Sequence, residues 1–142
     1  MTLQLIPPIH RATHRVGLYL ADLRTYGLTQ GESHILAQLA IASPQTIAQL
    51  HRGLAHKRST LTSILDRLVE RGLVTRVVGT ADRRTFVINL TAKGRHVARR
   101  IHRHLAELEA SVRRRVSDSD VRSFLKVLST VEEQAHQAIR AH

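Results

Sequence analysis

The stretch Arg58-Ser59-Thr60-Leu61-Thr62-Ser63-Ile64-Leu65-Asp66-Arg67-Leu68-Val69-Glu70-Arg71-Gly72 decides the fold. Leu61, Ile64, Leu65 and Leu68 recur every three or four residues, so they share one face of an α-helix, and Gly72 supplies the left-handed stop that ends it. The opposite face carries Ser59, Thr60, Thr62, Ser63, Asp66, Arg67 and Glu70, with Lys57 and Arg58 just ahead. Small hydroxyls at the front of a solvent-facing helix leave room for another molecule to come close.

Immediately after Gly72 the period changes from 3.6 to 2. Val74, Arg76 and Val78 alternate with Thr75 and Val77, and Phe86, Ile88 and Leu90 alternate with Val87 and Asn89. Between them runs Gly79-Thr80-Ala81-Asp82-Arg83-Arg84, so the pattern predicts a β-hairpin with a cationic tip. Thr91 is placed to cap a long helix through Val97, Ile101, Leu105, Leu108 and Val112, and Ser117-Asp118-Ser119-Asp120 to cap a last one with Val121, Phe124, Leu125, Leu128 and Val131 inward.

Upstream, Pro7 and Pro8 open a first helix whose apolar residues Ile9, Ala12, Val16, Tyr19, Leu20 and Leu23 run on to Tyr26. Thr29 opens a second, with Glu32 three residues on to complete a capping box and Ile35, Leu36, Leu39 and Ala40 as its stripe. Ser43-Pro44 starts a short third helix with Ile47, Leu50 and Leu54 inward. The end helices spend more apolar positions than a small central core can cover, which points to helices packed on helices.

The chain has 142 residues and a net charge of +11. That length fits one domain, without room for a separate catalytic module. Residues 51 to 103 hold thirteen basic and three acidic groups; the other 89 residues hold nine and eight. A cationic field concentrated in this way is the footprint of a polyanion binder, because each phosphate neutralised releases counterions. No run of eighteen apolar residues is present and the N-terminus lacks signal-peptide character, so no membrane insertion and a cytoplasmic location are expected. The absence of Cys excludes disulfides, thiolate chemistry and Cys-containing metal sites.

Short helix, turn, helix with a small polar face and arginine-tipped hairpin make a winged helix-turn-helix. The expected fold is mainly α with a small β-hairpin wing, comprising a winged helix-turn-helix over about 29–91 and dimerisation helices over about 7–26 and 92–140. An α-helix fits the major groove of B-DNA, where side chains of its first turns meet base edges. Arg58, Ser59, Thr60, Thr62, Ser63 and Arg67 are the candidates for the groove, Lys57 for the backbone, and Arg84, with Arg83 next, for the adjacent minor groove. Arg76 completes the candidate DNA-binding set.

Arg58-Ser59-Thr60-Leu61-Thr62, the run Asp66 to Val74, and Asp82-Arg83-Arg84 followed by Leu90-Thr91-Ala92-Lys93-Gly94 together resemble the MarR family of bacterial transcription regulators. The resemblance implies a homodimer interlocking its first, fifth and sixth helices, a pseudo-palindromic double-stranded operator, and repression relieved by a small anionic or aromatic effector. It also implies that Asp82 pairs with a neighbouring Arg to stiffen the wing. His56 and Lys57 depart from the family pattern, where an aliphatic residue and a capping Ser or Asp are commoner.

Other classes make competing predictions. A nonspecific architectural DNA-binding protein would share the basic field without discriminating between sequences. A metal-responsive regulator would exploit the ten His, of which His10 and His14 have the i, i+4 spacing of one helix face, yet no His-Glu-x-x-His motif occurs. His10, Arg11 and His14 are instead expected near the dimer interface or a ligand cleft, where an imidazole could pair with an anionic effector. No Gly-rich phosphate loop or catalytic triad is legible, so neither an enzyme nor a cofactor is expected.

Overall fold

The computed structural model describes residues 1–22, 26–54 and 57–141. Leu23, the last member of the first apolar series, and His56 lie outside the described residues. Two units, Met1–Arg103 and His104–His142, are described in turn.

In the first unit, α1 (Ile6–Asp22) carries the two prolines in its opening turn, where they remove only donors that would be orphaned anyway. Its expected apolar stripe is covered only at one end. Leu20 and Gly17 are buried, Ile9 and Tyr19 are half-buried, and Ala12 and Val16 face solvent.

Helix α2 (Gln30–Ile41) opens as expected at Thr29, whose hydroxyl oxygen accepts the Glu32 amide at 3.2 Å. The reciprocal half of the capping box does not form, because the Glu32 carboxylate turns inward to two arginines. The third helix also starts later than Ser43-Pro44 suggests. Gln45–Thr46 first forms a two-residue strand, β1, and α3 (Ile47–Leu54) follows. The local chemistry explains the shift. The Gln45 side-chain amide is buried and donates to the Ala42 carbonyl at 2.6 Å, while Thr46 and Gln49 cap each other, amide to side-chain oxygen, at 2.8 and 3.1 Å.

Helix α4 (Arg58–Glu70) buries the four apolar residues that define its stripe. Gly72, at φ 71°, closes it in a Schellman motif: the Gly72 amide donates to the Val69 carbonyl at 2.9 Å and the Leu73 amide to Leu68 at 3.0 Å. The hairpin follows, with β2 (Val74–Val78) and β3 (Phe86–Leu90) antiparallel from Val74 opposite Leu90 to Val78 opposite Phe86. β1 pairs on the far side of β3, giving the order β1-β3-β2.

Leu36, Leu39, Leu50, Leu61, Leu65, Leu68 and Ile88 fill the core between helices and sheet, each burial contributing about 2 kcal/mol. Thr91 caps α5 (Ala92–Arg113), accepting the Gly94 amide at 2.9 Å and donating to the Gly72 carbonyl at 2.7 Å. Here a glycine is required by space: a Cβ on Gly94 would lie 1.8 Å from the Leu73 carbonyl oxygen.

The second unit holds the end of α5 and α6 (Asp118–Ala141). Ser117 and Asp120 form a complete capping box, the Ser117 amide donating to the Asp120 carboxylate at 2.9 Å and the Asp120 amide to the Ser117 hydroxyl at 3.0 Å. No residue of α6 is buried. Val121, Leu128 and Val131 are half-buried, but Phe124 and Leu125, expected inward, are 57% and 55% exposed. Among the described residues no helix is long and apolar enough to cross a membrane.

Candidate nucleic-acid interface

The first turns of α4 stand open. Lys57 is the N-cap residue, with an extended backbone and no side-chain cap bond, so the amides at the start of the helix remain available to an anion. Arg58, Ser59, Thr60, Thr62 and Ser63 are all exposed. Thr62 donates its hydroxyl proton to the Arg58 carbonyl at 3.0 Å, leaving the oxygen free to accept, and the guanidinium of Arg58 has no partner among the described residues.

The wing is stiffened from within. The Asp82 carboxylate accepts the Arg84 backbone amide at 3.0 Å, its carbonyl accepts the Thr85 amide and hydroxyl at 3.1 and 2.7 Å, and the Gly79 amide closes the loop on the Thr85 carbonyl at 2.8 Å. The pairing of Asp82 with a neighbouring guanidinium that the family resemblance implied is therefore replaced by an Asx-type turn onto the backbone. Arg83 and Arg84 project from this tip, exposed and without side-chain partners among the described residues.

Two other candidates are engaged inside the protein. Arg76 of β2 forms an ion pair with Asp66 of α4 and lies 5.8 Å above the Phe86 ring. This pair braces the hairpin against the helix, so wing and helix form one piece. Arg67 donates through Nε to the Glu32 carboxylate at 3.2 Å and through a terminal nitrogen to the Ser63 hydroxyl at 3.2 Å. Arg71, which the sequence reading passed over, donates to the other Glu32 oxygen at 3.1 Å and to the Gly27 and Tyr26 carbonyls. The signal for Arg71 was present only as an i, i+4 pair with Arg67.

Beside α4 lies a cleft of about 790 Å³. α4 lends it Ser59, Thr60, Ser63, Ile64 and Arg67; Thr29, Gln30, Gly31, His34 and Leu54 line the rest, and α1 contributes Thr13. His10, Arg11 and His14 are exposed on α1 and are not among the lining residues. Among the described residues no three His, Asp or Glu side chains gather as a metal-binding group.

A helix-turn-helix whose second helix presents an open polar face, braced to an arginine-tipped hairpin, defines a winged helix-turn-helix DNA-binding domain. Residues 28–86, which hold the winged helix-turn-helix, match the MarR family model. The chain is 28% identical over 126 residues to an HTH-type transcriptional repressor of Mycobacterium tuberculosis, Rv2887, covering 85% of this chain and 91% of that one. Two solved structures share the fold. S. aureus MepR in complex with DNA superposes with a TM-score of 0.80 at 18% identity, covering 94% of this chain and 99% of that one. NadR in complex with 4-hydroxyphenylacetate gives 0.79 at 21% identity, covering 92% and 93%. The chain is thus a DNA-binding transcriptional regulator of MarR type and not an enzyme.

Proposed function

We propose that the chain works as a homodimer that recognises a pseudo-palindromic operator and represses transcription until a small ligand releases it. Lys57, Arg58, Ser59, Thr60, Thr62 and Ser63 make the major-groove and adjoining backbone contacts, and Arg83 and Arg84 reach the minor groove. The observation that carries this reading is the brace between Asp66 and Arg76, which ties the open face of α4 to a wing whose two arginines are uncommitted. Repression draws support from the mycobacterial relative, which is named a repressor.

Ligand release draws support from the cleft. Among the described residues five of its lining side chains belong to α4, so an occupant bears directly on the helix that reads DNA, and Arg67 is the one Lys, Arg, Asp or Glu in that lining. A small organic anion with an aromatic or aliphatic body suits that lining; 4-hydroxyphenylacetate, which NadR binds, is a fitting first probe. By linkage such a ligand weakens DNA binding only as far as it prefers the non-binding arrangement.

The test is salt-dependent duplex binding by Arg84→Ala. Loss of one phosphate-neutralising cation per protomer lowers the slope of log K against log salt by about 1 in a monomer and about 2 in a dimer. Affinity should fall across all duplexes. Parental binding at every salt concentration would remove Arg84 from the interface.

A further inference from the structure

We infer that Glu32 sets the DNA specificity of this chain by holding the C-terminal end of α4 in place, and that Arg67 and Arg71 are committed to it rather than to DNA. This rests on the sequence-specific binding proposed above. Glu32 lies in the first turn of α2, and its side chain is only 4% exposed. Each carboxylate oxygen takes a different arginine of the α4 end, Arg67 at 3.2 Å and Arg71 at 3.1 Å. Both arginines are then doubly committed, Arg67 to the Ser63 hydroxyl and Arg71 to the carbonyls of Tyr26 and Gly27 ahead of α2. A neighbouring contact tightens the arrangement, since a Cβ on Gly31 would fall 2.7 Å from the Ile64 side chain of α4.

Apolar packing at Leu61, Leu65 and Leu68 is non-directional and tolerates a small roll or tilt of the helix. Two charge-assisted hydrogen bonds to one buried carboxylate do not, because their geometry is narrow. Arg58 stands nine residues from Arg67, about 14 Å along the helix at 1.5 Å per residue. A tilt of roughly 10° about the Glu32 end therefore moves the reading turn by about 2 Å, enough to break a base-edge hydrogen bond but not attraction to phosphate. Neutralising Glu32 should cost discrimination while sparing nonspecific affinity.

The experiment compares two duplexes by fluorescence anisotropy: the best site selected by the wild-type chain from a random pool, and a scrambled version of it. For Glu32→Gln the ratio of the two affinities should fall at least about tenfold, with scrambled-duplex affinity within about twofold of wild type or tighter. Arg67→Gln, whose parent side chain is half-exposed, should give the same pattern, and the double variant should be no worse than Arg67→Gln alone. A residue that merely supports the fold would lower the melting temperature and both affinities together. Wild-type discrimination in Glu32→Gln overturns the inference; so does parallel loss of scrambled-duplex affinity and salt slope in Arg67→Gln, which would make Arg67 a phosphate contact. If Glu32→Gln does not fold, Arg67→Gln decides alone. A wild-type chain that binds both duplexes equally would overturn the underlying reading of specificity as well.

Discussion

Asp82 shows how the partner of a side chain escapes a reading of the sequence. Its carboxylate accepts a backbone amide, so what matters is an oxygen at that position and not a negative charge. Asp82→Asn keeps the oxygen and should bind duplex DNA like the parent, whereas Asp82→Ala should weaken binding by roughly two- to tenfold, the range of one net hydrogen bond. Equal losses in the two variants, measured by anisotropy, would restore a charge-based role. Glu32 carries the same lesson. Three residues after Thr29 it satisfies the capping-box spacing, and nothing local distinguishes that fate from burial against Arg67 and Arg71, which lie 35 and 39 residues away. Arg67 and Arg76 were legible as cations on the proper elements, but the choice between DNA and an internal carboxylate is made by tertiary proximity.

Elements were legible where periodicity and punctuation agreed. The stripe of α4, its Gly72 stop and both strands of the hairpin fall where alternation and spacing put them, because each pattern repeats several times within its element. β1 was not legible, since two residues carry no period and exist as a strand only through β3. The junction between hairpin and α5 is the tightest of these joints. Gly94→Ala forces a Cβ onto the Leu73 carbonyl, a backbone atom that cannot swing aside, and should cost about 2–3 kcal/mol, or on the order of 10 °C in melting temperature. An unchanged melt by circular dichroism would mean that the joint relaxes freely. At the start of α6, the Ser117 amide and then its hydroxyl hold the Asp120 carboxyl below its ordinary 3.8. A depressed acid stabilises the fold above its unfolded pKa and loses that contribution as pH falls through the folded value. Ser117→Ala removes the hydroxyl and leaves the amide, so the Asp120 titration followed by carbon NMR should move part of the way back toward 3.8. No movement would assign the shift to the amide alone.

At the scale of the whole molecule, what weighs most is the apolar surface that each unit exposes. Phe124, Leu125 and Ile139 on α6, and Leu5, Ile6 and Leu18 in and before α1, are large apolar side chains left in solvent, far more than scattered surface residues require. A two-fold dimer burying such faces would bring two copies of the +11 chain onto one duplex, with half-sites about 10 base pairs apart. The proposed cations Lys57, Arg58, Arg83 and Arg84 then act eight at a time, and the slope of log K against log salt should be about −7, against about −4 for a single chain. Phe124→Glu combined with Leu125→Glu places charge on the α6 face at two side chains that are more than half exposed. Helical content should survive, sedimentation should report half the parental mass, and the salt slope should drop toward the single-chain value. A parental mass in that variant would mean that any self-association uses another surface, while a monomeric parent with a slope near −4 would show that one wing and one helix bind DNA without a partner.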